Sequence, residues 1–366
     1  MDTPVSYLGE AYALLAAFSW AVALIFFKRS GVSVPPMALN LFKNVVGLVL
    51  LTVALLFVAP EDQTIGALTT REAVLLAISG VLGIAFADTL LFFSLNKIGV
   101  GMLAIVECSY APLMIFFAWL VAGESVSATT VIGGLLVISA VFVATGRTRR
   151  SYRESPLDLE SRRQSGDQSP DATPNRTELV KGIVIGILAI TLMAFGIAMV
   201  KSTIESAPLV PVTMLRLAAG SAMLAIIMGV HKNRREWFRV FVPRWNVWST
   251  CVPAGFFGTF LALMFWIGGF KYTNTARAAI LNQTSTIIAL IFATIFLKES
   301  FTMRKVVAAV MAFVGVLVVS IGQASKPTAT VPPQATAVIF QDEAHPFSSR
   351  PDSRGPDESD ATVPSD

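Results

Sequence analysis

The stretch 83–145, GIAFADTLLFFSLNKIGVGMLAIVECSYAPLMIFFAWLVAGESVSATTVIGGLLVISAVFVAT, determines how this chain is organised. It aligns without a gap, at a constant shift of 175 residues, with the stretch 258–320, GTFLALMFWIGGFKYTNTARAAILNQTSTIIALIFATIFLKESFTMRKVVAAVMAFVGVLVVS. Polar residues agree as well as apolar ones, since Glu124 falls on Glu299. Any two apolar stretches resemble each other, but their polar residues do not fall in the same order by chance. The sequence therefore predicts one unit that occurs twice.

The duplication continues towards the N-terminus, where the shift becomes 173. This shift aligns Lys28 with Lys201 and Lys43 with Arg216. We expect the change of two residues to lie in a loop.

The composition excludes water as the main solvent of this chain. The residues are 54% hydrophobic and 14% charged, against about 25% charged in soluble domains, and the mean hydropathy is +0.67. A bilayer-spanning helix needs roughly 17–25 mostly apolar residues. Ten stretches meet this length: Leu8–Phe27, Ala38–Val58, Ala73–Leu95, Gly101–Ala122, Ser127–Thr145, Val180–Val200, Val210–Val230, Trp248–Phe270, Ala276–Leu297 and Arg304–Gly322.

Composition also divides the chain into four parts. Residues 1–146 and 179–322 are the two five-helix repeats. Residues 147–178, rich in Ser, Pro, Arg and Asp, are predicted to form a flexible charged linker. Residues 323–366 are predicted to form a disordered acidic tail.

Five spans in each repeat is an odd number, so the second repeat must enter the bilayer from the opposite side. The predicted fold is an all-α polytopic membrane protein with ten transmembrane helices as two inverted five-helix repeats. Inverted repeats are the architecture in which one half rocks against the other around a central site, giving alternating access. The duplication therefore favours a secondary transporter.

The distribution of Lys and Arg predicts the orientation. One side of the predicted topology carries 19 Lys and Arg residues and the other carries seven. The richer side is expected to be cytoplasmic, which places both termini outside the cytoplasm. The net charge of +4 lies mainly in these loops, so no nucleic-acid partner is predicted.

Four ionisable residues lie inside predicted spans: Lys43, Asp88, Glu107 and Arg216. Each costs on the order of 2.5–3.5 kcal/mol at the centre of a spanning helix. The first three fall in one layer, roughly 7–11 Å deep from the predicted cytoplasmic side. One lysine and two carboxylates leave one negative charge in excess, a site for a proton or for the amine of a solute. The alternatives are an ion-pair network that only holds helices together, and side chains that reach the interface.

In the second repeat the residues aligned with Lys43, Asp88 and Glu107 are Arg216, Leu263 and Asn282. Gln283 follows directly, and Arg277 is near in the sequence. The second half is therefore cationic and amide-bearing, whereas the first is acidic. A zwitterion or an organic anion suits such a path.

Aromatic side chains at membrane depth pack between helices more often than they line cavities. Of Trp20, Phe92, Tyr110, Trp119 and Trp266, we assign only Trp20 and Tyr110 to the predicted cavity.

Glu124 and Glu299 stand at short turns before Ser127 and Thr302, whose hydroxyl groups are expected to cap the next helices. We expect both carboxylates to serve helix ends.

Other chemistries find little support. The sequence contains two cysteines, Cys108 and Cys251, and two histidines, His231 and His345, which lie in a loop and a tail. No disulfide framework, metal site or cofactor is predicted. An enzyme would need a nucleophile with a base, or a metal set, at one depth, and a nucleotide-driven pump would need a Gly-rich Lys-Ser/Thr loop.

The chain resembles the drug/metabolite transporter superfamily and, within it, the ten-span EamA-type permeases. Trp20 and Lys28 match that family's opening motif, and 80–97, GVLGIAFADTLLFFSLNK, resembles its third span. The copy 255–272 and the run 297–299, LKE, are similar. The resemblance covers about 290 residues, excluding the linker and the tail.

The resemblance implies an inner-membrane carrier with a central cavity that often exports amino acids or other small metabolites. The long linker, the acidic tail, and Asp88 and Glu107 at positions that are commonly apolar or small are departures from the family. Family members also tend to keep both termini in the cytoplasm, against the Lys and Arg count.

The function predicted from the sequence is secondary export of small polar metabolites such as amino acids, coupled to protons or exchange. The lipid bilayer and a small-molecule solute are the expected partners, and a homodimer is compatible with the sequence. The alternatives are an uptake or exchange carrier of metabolites, similar to nucleotide-sugar carriers, and a receptor or scaffold that transports nothing.

Overall fold

Helices form all the regular structure in the part of the chain that the structure describes. The structure is a computed structural model and describes residues 7–56, 68–122, 128–145, 176–272, 278, 281–299 and 302–324. These residues lie in one compact unit, Met1–Ser325. The predicted all-α class is confirmed. Most of the predicted tail and most of the predicted linker lie outside the described residues, and the last helix includes the first two residues of that tail, 323 and 324.

The first half begins with two long helices and continues with a broken third one. Its helices are α1 (Leu8–Ser30), α2 (Pro36–Leu55), α3 (Thr70–Gly80), α4 (Asp88–Glu107), α5 (Tyr110–Ala122) and α6 (Ala128–Thr145). A π-helical segment, Val81–Ala87, joins α3 to α4 without a loop.

The second half has the same order of long helices, with two short helices added. Its helices are α7 (Arg176–Ala198), α8 (Lys201–Ser206), α9 (Leu209–Val230), α10 (Arg234–Phe238), α11 (Trp245–Gly255), α12 (Ala262–Tyr272), α13 (Thr284–Phe296) and α14 (Met303–Ala324). A second π-helical segment, Phe256–Leu261, joins α11 to α12. It begins 175 residues after the first, so the two halves share this irregularity as well as their sequence.

Six helices of the described chain are long and apolar enough to cross a bilayer: Leu8–Ser30, Pro36–Leu55, Thr70–Glu107, Thr177–Ala198, Leu209–Val230 and Trp245–Gly269. Val131–Ala144 and Thr284–Phe296 are shorter apolar helices. Large apolar side chains such as Phe142, Ile226 and Leu188 face outward. A soluble protein does not expose so much apolar surface, and the chain is an integral membrane protein.

Two boundaries differ from the prediction. The predicted spans Ala73–Leu95 and Gly101–Ala122 are separated by a kink at one residue, Gly99, whose backbone is not helical, and not by a longer loop. Helix α7 begins at Arg176, inside the predicted linker. Hydropathy marks where a helix is apolar, not where its hydrogen bonds begin.

The interruption at Gly99 is stabilised by charges from both sides. Gly99 has φ +76° and ψ 172°, a conformation that is essentially restricted to glycine. Lys28, at the end of α1, donates to the carbonyl oxygens of Leu95 and Asn96 at 3.4 and 3.3 Å. A cation at a helix C-terminus is favourable because the carbonyl groups there carry partial negative charge.

Glu299 binds the other side of the same interruption. Its two carboxylate oxygens accept from the backbone N–H groups of Val100 and Gly101 at 2.8 and 3.1 Å, and Lys305 Nζ lies 3.6 Å from Oε2. Glu299 therefore caps the start of a helical segment of the other half, as expected for a carboxylate that serves a helix end. The predicted Thr302 cap is also present, since its hydroxyl accepts from Lys305 N at 3.4 Å. Glu124 and Ser127 lie outside the described residues.

Helices of the two halves cross in backbone contact at glycines. A Cβ atom on Gly80 would lie 2.1 Å from the Arg216 carbonyl oxygen, and one on Gly220 would lie 2.8 Å from the Gly80 carbonyl oxygen. Gly255 aligns with Gly80, and Lys43 aligns with Arg216. A Cβ atom on Gly255 would likewise lie 3.2 Å from the Lys43 carbonyl oxygen. Each half thus places a cationic residue of one helix beside a glycine of the other half.

Candidate functional site

One cavity of about 150 Å³ lies between the two halves. This is several times the space that one water molecule needs. All the predicted site residues line it: Trp20, Lys43, Asp88, Glu107, Tyr110, Arg216, Asn282 and Gln283. Residues of the predicted inner and outer layers therefore share a single cavity.

Lys43 and Asp88 form an ion pair in the wall of the cavity. Lys43, on α2, has its Nζ 2.7 Å from Asp88 Oδ2 and 2.8 Å from Asn44 Oδ1. Its side chain is 5% exposed and that of Asp88 is 14% exposed. The pair neutralises both charges, and the ring of Phe92 lies 5.7 Å from the ammonium group.

Glu107 has a different environment from Asp88. It is the last residue of α4, and its Oε1 accepts from the indole Nε1 of Trp20 at 3.0 Å. No ion-pair partner of Glu107 is found among the described residues. The sequence predicted one negative charge in excess among Lys43, Asp88 and Glu107. Because Lys43 pairs with Asp88, Glu107 carries that excess charge when it is ionised.

Arg216 is the corresponding cation in the second half. It lies on α9, is 3% exposed, and its Nε donates to Ser79 Oγ at 3.2 Å. Ser79 Oγ itself donates to the Gly196 carbonyl oxygen at 2.6 Å, so the guanidinium group is positioned by a neutral chain of hydrogen bonds. Within the described part of the chain no carboxylate forms an ion pair with Arg216, although Asp88 attracts it from a greater distance. A cation and an anion without ion-pair partners among the described residues thus line one cavity.

The helices that carry these residues are broken at the cavity. Helix α4 ends at Glu107, and a turn at Cys108 and Ser109 precedes α5. In the second half, residues 281–282 are helical, Gln283 forms a turn, and α13 follows. The two breaks are related by the shift of 175. Discontinuous helices with free backbone ends are typical of binding sites at membrane depth.

Most cavity residues come in pairs that the repeat alignment relates. These pairs are Trp20 and Met193, Lys43 and Arg216, Gly83 and Gly258, Ile84 and Thr259, Asp88 and Leu263, Glu107 and Asn282, and Tyr110 and Ser285. Thr259 and Ser285 were not predicted to belong to the site. Ser285 aligns with Tyr110 at the shift of 175 residues. Applying this shift to every candidate of the first half would therefore have identified Ser285.

The aromatic prediction was incomplete. Trp20 and Tyr110 line the cavity as expected, but Trp266 also does, and the centre of its ring lies 6.0 Å from that of Tyr110. Trp266 packs against a buried apolar cluster, as expected from the sequence, and lines the cavity in addition. Phe92 is a core residue, with its ring centre 4.7 Å from that of Phe27, and Trp119 is 46% exposed on the outer surface.

Other candidates add nothing to this site. Arg277 lies outside the described residues. Cys108 and Cys251 are buried and unbridged, and Cys108 Sγ lies 3.4 Å from Thr286 Oγ1. In the part of the chain described, no three His, Cys, Asp or Glu side chains are grouped so that they could hold a metal ion.

The fold and the site together define a polytopic membrane protein with a small cavity between two repeated halves, whose mostly apolar lining carries a few charged and amide side chains. The model of the EamA-like transporter family matches residues 7–146 and again residues 180–321. The chain belongs to the EamA-like transporter family. The resemblance inferred from the sequence is confirmed.

Two curated relatives match one part of the chain. An uncharacterized transporter of Archaeoglobus fulgidus is 27% identical over 136 residues, or 37% of this chain and 46% of the relative. YoaV, an uncharacterized transporter of Bacillus subtilis, is 28% identical over 138 residues, with the same shares. The chain thus matches about half the length of these relatives.

A solved crystal structure of a protein 14% identical to this chain has a TM-score of 0.58, covering 86% of this chain and 96% of the other. At that identity the likeness concerns the fold alone.

Proposed function

We propose that this protein is a secondary active transporter that exports small polar metabolites, and in particular small zwitterions such as amino acids. The observation that carries the proposal is the pair Glu107 and Arg216, which line one cavity without ion-pair partners among the described residues. A zwitterion brings one charge of each sign. Its ammonium group matches Glu107 and its carboxylate matches Arg216, which can bind it in a bidentate way.

The proposed mechanism is alternating access between two inverted five-helix repeats, ten transmembrane helices in all. The reciprocal contacts of Gly80 with Arg216 and of Gly255 with Lys43 support a pseudo-twofold relation between the halves. The cavity lies where related residues of both halves meet, so rocking one half against the other would expose the same residues to either side.

Glu107 is the proposed coupling group. Lys43 neutralises Asp88, but Glu107 can be neutralised either by a proton or by the ammonium group of the solute. Because both cannot occupy the carboxylate at once, entry of a proton from one side would release the solute on that side. This exchange amounts to antiport of protons and solute.

The proposed location is the inner (plasma) membrane, with both termini outside the cytoplasm. The support for this orientation is the count of Lys and Arg in the loops.

The test compares metabolites released into the medium by cells that express the wild type or a Lys43→Ala, Glu107→Gln variant at matched membrane abundance. We expect zwitterionic metabolites to be released by the wild type only. Identical profiles would overturn export, and the same cells would then be tested for uptake of labelled amino acids.

A further inference from the structure

Thr259 carries a buried hydroxyl group that the protein leaves without a partner. The residue is 2% exposed and lines the cavity. Its Oγ1 is one of the buried polar atoms, among the described residues, that make no hydrogen bond. A buried hydroxyl without a partner costs about 1–3 kcal/mol, so its presence calls for a group that binds it.

The surroundings of Thr259 determine the direction of that hydroxyl. A Cβ atom on Gly47 would lie 2.4 Å from the Thr259 methyl carbon, so the methyl group packs against α2. The residue also belongs to the π-helical segment Phe256–Leu261, and π-helical turns are frequent at functional sites. The methyl group is thus held by α2, and Thr259 itself belongs to the lining of the cavity.

Two further polar side chains of the second half, Asn282 and Ser285, line the same cavity. Both are partly accessible, and neither makes a hydrogen bond to the described part of the chain. Their first-half counterparts are Glu107, whose Oε1 accepts from the Trp20 indole, and Tyr110, whose hydroxyl donates to Met114 Sδ. The second half thus contributes three neutral hydroxyl and amide groups to the cavity lining that make no hydrogen bond to the described part of the chain.

We propose that Thr259, Asn282 and Ser285 form a subsite for an uncharged hydrogen-bonding group of the solute, a hydroxyl or a carboxamide. This inference rests on the proposed function, in which Glu107 and Arg216 hold the charged ends of a zwitterion. The subsite determines the chemical class of the rest of the solute, beyond its two charged ends. All three side chains are neutral and can both donate and accept hydrogen bonds, so they match a group that does the same.

The subsite makes Thr259 a specificity-determining residue. A site built to bind a hydroxyl discriminates strongly against an analogue that lacks it, because the polar groups of the site are then left unpaired. Threonine and valine have the same shape and differ only by a hydroxyl in place of a methyl group. The protein is expected to transport threonine in preference to valine.

The experiment measures competing transport of labelled L-threonine and L-valine by purified full-length protein in proteoliposomes. The Thr259→Val variant has nearly the wild-type shape but no hydroxyl, and we expect it to lower the threonine-to-valine ratio at least about tenfold. The Thr259→Ser variant retains the hydroxyl and is expected to keep most of the preference.

The matched control is Thr213→Val. Thr213 is fully buried on α9, but its hydroxyl donates to the Leu209 carbonyl oxygen at 2.7 Å and it does not line the cavity. This variant is expected to leave the ratio unchanged.

Thermal unfolding of the solute-free variants supplies a second readout. Replacing an unpaired hydroxyl by a methyl group removes an unfavourable burial, so Thr259→Val is expected to unfold at the wild-type temperature or above it, whereas Thr213→Val unfolds below it. If Thr259→Val unfolds at a lower temperature than the wild type and keeps the wild-type threonine-to-valine ratio, the hydroxyl stabilises its own helix and does not bind the solute. That result would refute the subsite.

Two other outcomes separate the subsite from the proposed function. Transport of both solutes by the wild type without preference for threonine would refute the subsite and leave zwitterion transport standing. Transport of neither solute by the wild type would refute zwitterion transport, and with it the subsite.

Discussion

Four buried charges give the cavity its chemistry, and their pairing decides what each can do. Lys43 and Asp88 satisfy each other at 2.7 Å. Glu107 and Arg216 are held by neutral donors and acceptors, Trp20 and Ser79. A buried charge without a counter-charge is costly, so these two residues are where a proton or a charged solute group gains most from binding.

Replacement of Glu107 by Gln is predicted to remove the pH dependence of transport. The amide keeps an oxygen for the Trp20 indole but can no longer be neutralised by a proton or an ammonium group. We expect at least a tenfold loss of solute flux driven by a pH gradient, with the residual flux independent of pH. The measurement is the initial rate in proteoliposomes at several external pH values.

Glu178→Gln is the control for that variant. Glu178 is an exposed carboxylate that pairs with Lys97 and Lys181 at the start of α7. Its replacement is expected to leave both the flux and its pH dependence unchanged. A wild-type pH profile in Glu107→Gln would remove Glu107 from the coupling.

Breaking the Lys43–Asp88 pair is predicted to destabilise the protein, whereas replacing the whole pair is not. Lys43→Ala leaves Asp88 buried without a cation, at a cost of about 3–5 kcal/mol. Lys43→Met with Asp88→Leu is expected to recover most of that loss, because apolar residues of similar volume often substitute for buried ion pairs. Leu263 already occupies the position aligned with Asp88.

Unfolding of Lys43→Met, of Asp88→Leu and of the double variant in detergent gives the coupling energy. Strictly additive losses would mean that the two side chains do not stabilise each other.

At the scale of the elements, the sequence predicted the apolar stretches well and the breaks poorly. The predicted span Val210–Val230 agrees with α9, Leu209–Val230. The π-helical segments and the turn after Glu107 were not predicted, because neither leaves a mark in hydropathy. The interruption at Gly99 depends in addition on a partner from the other half, since Glu299 accepts from the N–H groups of Val100 and Gly101.

Replacement of Gly99 by Ala is predicted to weaken the fold at this interruption. The backbone conformation costs a non-glycine residue about 1–3 kcal/mol, and the new Cβ atom would lie 2.8 Å from Glu299 Oε1. We expect a lower unfolding temperature in a thermal unfolding experiment.

Gly229→Ala is the matched control, because a Cβ atom there would have no neighbour within 4 Å. It lies in the last turns of α9, and Ala in a helix is favoured over Gly by about 0.5–1 kcal/mol. Equal destabilisation by both substitutions would show that the Glu299 contact is unimportant.

For the whole molecule, orientation in the membrane needs its own test, because the proposed inverted repeats would look alike from both sides. The Lys and Arg count predicts that both termini are outside the cytoplasm, whereas the family resemblance implies the reverse. A reporter enzyme that is active only in the periplasm is predicted to be active when fused after Asp366. The same reporter fused after Arg150, in the predicted cytoplasmic linker, is expected to be silent. The opposite pattern would invert the topology.

The order of residues alone was enough to predict the membrane class, the duplication, the family and all eight candidate residues of the cavity. These properties are local or repeated along the chain: apolar length, charge within apolar stretches, and a constant shift between similar segments. The tertiary structure alone decided that Lys43 binds Asp88 and not Glu107, that Trp266 faces the cavity, and that the Thr259 hydroxyl is left without a partner. Each of these depends on which helices of the two halves touch and at what register, and one residue of helix rotation, about 100°, would change every one of them.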